Sequence, residues 1–244
     1  MDWRKRDGVR WLQAGLDGAT AAFSTRVGGD SRSPYESLNL AIKTGDDPDA
    51  VRSNRRRLSA ALGLEPAAVL MAHQVHGDRL LRHEAEQQPS IWPDAVPSPE
   101  DADAHATGQG GLAPLVMVAD CLPVALAGPG GVAMAHCGWR GLAAGLAASA
   151  AAEVEASAAA IGPGIGACCY EVGDEVLSAF AQVPGAARGR MLDLAAVARH
   201  QLAGAGVGEI DVSGLCTSCE AELFYSHRRD GERTGRQAGL VWRS

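Results

Sequence analysis

Between residues 115 and 136 three short apolar runs, Leu115–Ala119, Pro123–Ala127 and Val132–His136, follow one another with only "DCL" and "GPGG" between them. Each run is too short for a helix and each break reads as a turn, so three strands in direct succession are expected. Along the chain, strands and helices mix without strict βαβ alternation. A doubly wound parallel sheet is therefore disfavoured, and a mixed-sheet α/β or α+β sandwich takes its place.

The rest of the chain alternates elements without internal repeats. "ATAAFST" reads as a strand entering the Gly-rich turn "VGGDSRSPYES", and "VRSNRRRLSAALGL" as a helix after the acidic turn "GDDPDA". Further strands are expected at Val69–Gln74 and Arg79–His83, and four of the twelve prolines mark "EQQPSIWPDAVPSPEDAD" as an irregular loop. "LAAGLAASAAAEVEA" is rich in the best helix former and reads as one helix. "SAAAIGP", "EIDVSG" and "AGLVWR" read as strands, "VGDEVLSAFAQ" and "LDLAAVARHQLAGAG" as helices. The 244 residues, 46% of them hydrophobic, suffice for one large core, so residues 1–244 are expected to form a single domain.

Charge and cysteine usage narrow the partners. From His83 to Trp139 there is no Lys or Arg, and the acidic residues in that span account for the whole net charge of −7. No long basic stripe remains, which argues against nucleic acid; "RRR" at Arg55–Arg57 reads as a solvated helix face. No apolar segment follows the basic N-terminus and no run is long enough to span a bilayer, so a cytoplasmic protein without membrane attachment is expected, as a monomer or weak homodimer. The six cysteines are too sparse for a disulfide scaffold; reduced thiols or metal ligands are expected.

Three places put a metal-competent side chain at a strand end or tight turn: His76 in "QVHG", Cys121 in "VADCLPV" and His136 in "AHCGWRG". Two imidazoles and a thiolate suit zinc, and three protein ligands leave a fourth position open, as catalytic zinc sites do. "CTSC" at Cys216–Cys219 has the spacing of half a structural zinc site or of a redox pair, and Cys168 with Cys169 is a candidate other half.

The motifs "FSTRVGG", "PYESLNL", "QVHG", "ADADAHAT", "VADCLPV", "HCGWRGL", "IGPGIGACCYEVGDEV" and "FYSHRRDGERTGR", in this order from about Phe23 to Arg236, resemble those of the YfiH-like family, long labelled laccase-domain or polyphenol oxidase proteins. The resemblance implies a single-domain α/β/α sandwich with mixed sheets. It implies zinc-dependent phosphorolysis of adenosine, inosine and methylthioadenosine, with an accompanying adenosine deaminase activity. It places the metal on His76, Cys121 and His136. Cys137 departs from the alanine most members carry, His73 lies outside the motif, and the family pattern accounts for Cys216 and often Cys169 without a metal, while Cys219 falls outside it.

For that chemistry Asp120 and Asp103 are the candidate proton-moving carboxylates, and Arg140, Arg26, Arg228 and Arg229 the candidate phosphate clamp. A zinc hydrolase acting on another small amide or amino sugar remains the alternative, because the triad does not itself name a substrate. A copper polyphenol oxidase is disfavoured: seven histidines with no His-x-His pair do not furnish the imidazoles a multicopper site needs.

Overall fold

The structure, a computed structural model, describes residues 1–84, 92 and 100–243. Its strands are β1 (Asp2–Arg6), β2 (Val9–Leu16), β3 (Ala19–Ser24), β4 (Val69–Leu70), β5 (Leu80–His83), β6 (Ala104–Thr107), β7 (Ala113–Val118), β8 (Leu122–Gly128), β9 (Gly131–Cys137), β10 (Ala158–Ile161), β11 (Ala187–Arg188), β12 (Met191–Leu192), β13 (Glu209–Val212) and β14 (Gln237–Arg243). The helices are α1 (Pro48–Leu62), α2 (Trp139–Ala143), α3 (Leu146–Glu153), α4 (Asp174–Ala179), α5 (Leu194–Gly204) and α6 (His227–Asp230).

One six-stranded sheet runs β1-β2-β3-β14-β7-β4 and a second β13-β10-β8-β9-β6-β5, while β11 and β12 form a separate pair. Each large sheet is mixed: β4 runs parallel to β7, β10 to β13 and β5 to β6, amid antiparallel neighbours. The three successive strands expected between 115 and 136 are β7, β8 and β9. Strands β8 and β9 pair in register from Leu122–Cys137 to Gly128–Gly131, but β7 belongs to the other sheet. The chain therefore changes sheets at Ala119–Cys121.

The two sheets pack face to face through Leu12, Phe23, Val116 and Val118 on one side and Ala125, Val132 and Met134 on the other. Helices α3 and α5 cover the outer face of the second sheet with Leu146, Ala150, Val197 and Leu202. Helix α1 covers the first with Leu58 and Ala61 against Leu115 and Leu240. The expected α/β/α sandwich with mixed sheets is thus present, its β layer double. Helix α1 forms where its sequence signals say: Asp47 caps the N–H of Asp49, Pro48 opens the first turn, and Gly63 closes the helix at φ 71°.

Some expectations are corrected. The alanine-rich segment is two helices, because Gly145 between them adopts φ 83°. The strand at 69–74 stops at Leu70, and His73 makes only an isolated bridge to Asp101. Residues 2–16, with no strand expected, form the β1–β2 hairpin. Arg55 is not solvated: it is 2% exposed, donates through Nε to the Leu40 carbonyl, and stacks on Trp92. Of the proline-rich loop, all but Trp92 and residues 100–103 lie outside the described residues. No helix among the described residues is long and apolar enough to cross a membrane.

Candidate active site

Strand alternation sorts the end of β9. Met134 and His136 face the space between the sheets, while Ala135 and Cys137 face the helices. Cys137 is fully buried among aliphatic side chains, and burial pushes its thiol pKa up. It is therefore a small core residue, not an extra thiol at the centre. His136 meets Cys121, delivered by the sheet-changing segment, and His76, delivered by the turn after β4.

The ligand atoms of His76, Cys121 and His136 all lie within 4.8 Å of one another, and the two imidazole centroids are 4.9 Å apart. Two local backbones are strained to achieve this, His76 at φ 60° and Asp120 at φ 94°, each in the left-handed region that non-glycine residues seldom occupy. Gly138 has to be small here, since a Cβ on it would stand 2.9 Å from the Cys121 Sγ.

Asp103 holds the arrangement together. Its Oδ1 accepts from the His136 Nδ1 (2.7 Å) and the His76 backbone N–H (3.0 Å). Its Oδ2 accepts from the N–H groups of Gly77 (2.7 Å) and Val75 (3.1 Å). One carboxylate thus locks the "QVHG" turn and orients the His136 ring so that Nε2 faces Cys121, the arrangement by which carboxylates commonly fix metal-ligating histidines. Burial alone would raise the Asp103 pKa; the donors from His136 and Gly77 hold it below the usual carboxylate range.

The electrostatics favour a cation at this point. Burial raises the Cys121 thiol pKa, but the charge and hydrogen bond of His136, then His76, pull it below the ordinary thiol value. Burial lowers the His136 pKa, but Cys121 and Asp103 raise it above the ordinary imidazole value. A thiolate here therefore needs a positive neighbour, which the imidazolium supplies and a metal ion would supply instead.

The triad sits in the wall of a cavity of about 730 Å³, within the range of small-molecule sites. Trp139, Tyr170, Ile165, Met71 and Met117 give it apolar walls, and Lys43, Arg140, Arg228 and Arg236 give it cations. Asp120 is the only carboxylate lining it among the described residues. Its Oδ1 accepts from Thr217 Oγ1 at 2.6 Å and its Oδ2 from the Arg228 N–H at 2.7 Å. The Arg140 guanidinium lies 4.5 Å over the Trp139 ring and makes no hydrogen bond among the described residues. Arg228 stacks on Tyr170 and donates to the carbonyls of Cys169 and Glu171.

The other expected residues stand elsewhere. Asp103 is 0% exposed, so it reaches the triad but not the cavity. Arg26 lies outside the lining, donating to the carbonyls of Glu36 and Ala221 and stacking on Tyr225. Arg229 is also outside it, engaged by Asp230 and the carbonyls of Thr217, Ser218 and Phe224. His73 lines the cavity and pairs through Nδ1 with Asp101. Sequence reasoning missed Lys43, Tyr170 and Arg236, which carry no spacing signal; Tyr170 and Arg236 do lie inside the motifs that carried the resemblance.

A family profile described as multi-copper polyphenol oxidoreductase laccase matches residues 20–244. This chain is similar to the purine nucleoside phosphorylase YfiH of Escherichia coli, 40% identical over 239 residues that cover 92% of this chain and 94% of that protein. It is similar to the purine nucleoside phosphorylase YlmD of Geobacillus stearothermophilus, 35% identical over 261 residues covering 96% and 94%. Among solved structures, the Bacillus licheniformis hypothetical protein YfiH superposes with a TM-score of 0.87 at 32% identity, covering 99% of both chains. The crystal structure of YlmD gives 0.86 at 35% identity, covering 98% and 97%.

Proposed function

The chain belongs to the family described as multi-copper polyphenol oxidoreductase laccase, and we propose that it is a zinc-dependent purine nucleoside phosphorylase with an adenosine deaminase side activity. The relatives' printed activity supports the phosphorylase part of that reading. The observation that carries it is the placement of a two-imidazole, one-thiolate centre in the wall of a cavity that is apolar on some sides and cationic on others.

The donor set fits zinc. Three ligands whose atoms lie within 4.8 Å of one another match a tetrahedral ion with one position left open, and the oriented His136 ring supplies the support such ligands need. Bound there, zinc supplies Lewis acidity at the cavity wall. Copper oxidase chemistry fits less well: among the described residues this is the only cluster of possible ligands that includes a histidine, too few imidazoles for a multicopper centre.

The chain's own residues do the rest. Trp139, Tyr170 and Ile165 give a purine ring flat and aliphatic surfaces to lie against. Arg140 and Arg228, with Lys43 and Arg236, hold phosphate and neutralise it. In phosphorolysis a phosphate oxygen bonds to ribose C1′ as the bond from C1′ to the base breaks, giving free base and ribose 1-phosphate. The transition state is oxocarbenium-like, so holding the anion beside C1′ stabilises it as charge develops. For deamination, water replaces the amino group, and the proposed role of Asp120 is to move a proton to the departing ammonia; the bonds it accepts from Thr217 Oγ1 and the Arg228 N–H fix its orientation. Adenosine, inosine and methylthioadenosine are the proposed substrates; a zinc hydrolase of another amide is the competing reading.

The test is chromatography of products after zinc-quantified protein is incubated with adenosine, with and without phosphate. Adenine appearing only with phosphate is expected, with a smaller amount of inosine. Turnover of neither kind, by protein with a filled triad, would overturn the reading.

A further inference from the structure

Four of the six cysteines have no part in that chemistry. The Sγ atoms of Cys168, Cys169, Cys216 and Cys219 lie within 4.8 Å of one another, with 3.5 Å between Cys168 and Cys219 and 3.4 Å between Cys169 and Cys219. These are far longer than a disulfide of about 2.0 Å, and all four thiols are free. They are close to the edge of about 3.8 Å that follows for a tetrahedron with metal–sulfur bonds of about 2.3 Å. A multi-iron cluster would spread the thiolates over several irons and hold them further apart. One ion at the centre is the better fit.

The backbone is shaped around this group. Gly166 donates its N–H to the Cys216 Sγ at 3.2 Å, and a Cβ on Gly166 would stand 3.2 Å from the Cys168 Sγ and 3.5 Å from that of Cys216. The Gly166 carbonyl accepts from the N–H groups of Cys169 and Tyr170, folding "GACCY" into a tight turn. The Cys216 carbonyl accepts from the Glu220 N–H, folding "CTSCE" into another. Bonds from Gly164 N–H to Leu215 and from Thr217 N–H to Gly164 set the turns side by side. Four thiolates around a divalent ion leave two negative charges. Arg228, donating to the Cys169 carbonyl on one turn, brings a positive charge beside them, while Arg229, already paired with Asp230, ties down the other turn through the carbonyls of Thr217 and Ser218.

We propose that Cys168, Cys169, Cys216 and Cys219 bind a second, structural zinc ion that fastens these two turns together behind the cavity wall. Four protein ligands close the coordination sphere, so the ion is a staple and not a reaction centre. What it holds is nonetheless functional: Tyr170, the residue after Cys169, lines the cavity, and Thr217, the residue after Cys216, bonds Asp120. Cys168 and Cys219 are exposed, which gives the ion a way in from solvent.

Elemental analysis and cobalt substitution of the full-length protein test this. Wild type is expected to carry two zinc ions per chain, Cys219→Ser one, and Cys121→Ser one. Loaded with cobalt, wild type should show thiolate-to-cobalt charge-transfer absorbance for five sulfur–metal bonds, Cys121→Ser for four and Cys219→Ser for one. The thermal midpoint should fall in Cys219→Ser even at saturating zinc. Equal zinc and equal charge-transfer intensity in wild type and Cys219→Ser would overturn the proposal. If Cys219→Ser does not fold, wild-type cobalt protein with the absorbance of a single thiolate would overturn it alone. The Cys121→Ser sample reads the histidine-containing centre separately, so failure of one site is not mistaken for failure of the other.

Discussion

Asp103 touches neither solvent nor cavity, yet both histidines of the candidate centre depend on it, one through its ring and the other through its backbone. Asp103→Asn should keep the shape but replace one of two accepting oxygens with a donor, so that either His136 Nδ1 and the His76 N–H or the N–H groups of Gly77 and Val75 lose their acceptor. Zinc affinity at the triad should fall about 10- to 100-fold, measured by chelator competition; unchanged affinity would reduce Asp103 to a turn residue. Cys121→Ser swaps a thiolate for a neutral hydroxyl and should empty the triad while far-ultraviolet circular dichroism stays native. Full zinc occupancy with full adenosine turnover in that variant would remove the triad assignment. Arg140, held by stacking on Trp139 alone among the described contacts, is the residue freest to grip an incoming anion. A charge-assisted bond is worth about 1.5–3 kcal/mol, so Arg140→Ala should raise the KM for phosphate roughly tenfold or more with deamination less affected. Equal loss of both activities would point instead to a role in seating the purine.

At the scale of elements, the approach of the two sheets depends on residues without side chains. A Cβ on Gly239 in β14 would stand 2.6 Å from the Pro123 Cβ and 3.2 Å from the Met134 sulfur. Gly239→Ala should therefore destabilise the fold by about 1–3 kcal/mol, the usual cost of overpacking. Gly145→Ala has open space around it but a left-handed φ, and should cost about 1 kcal/mol from conformation alone. Urea unfolding of the two variants separates them: a Gly239→Ala as stable as wild type would mean that the sheets slide apart freely. The same contrast explains what was legible in the sequence. Strands β7 to β9 and helix α1 carry their own periodicity and caps, and were readable. The β1–β2 hairpin was not, because every residue of β1 is exposed and an exposed edge strand needs no apolar pattern. The break at Gly145 was hidden in an alanine run whose propensity is uniform. His76, Cys121 and His136 could be named because each stands in a recognisable motif. Which arginines reach the cavity could not, since Arg228 and Arg229 are neighbours in sequence and only the tertiary fold separates the one that lines it from the one that does not.

For the whole molecule, two sheets meeting face to face explain why the centre lies where it does. The chain crosses between the sheets four times, at β4–β5, β6–β7, β7–β8 and β13–β14, and the short passage from β7 to β8 carries Asp120 and Cys121 to the margin of the interface, where the end of β9 presents His136. Sheet order adds a consequence for the way the protein is made. Strand β14 lies between β3 and β7, so residues 237–243 fill a slot whose two walls come from the start and the middle of the preceding sequence. On the ribosome the second sheet has all its strands once residue 212 has emerged, whereas the first stays split, with the backbone edges of β3 and β7 uncovered, until the last strand follows. A chain halted after Arg236 should thus hold a paired second sheet beside an open first one, and limited proteolysis of stalled nascent chains should cut near β3 or β7 before residue 243 is out and lose those cuts afterwards.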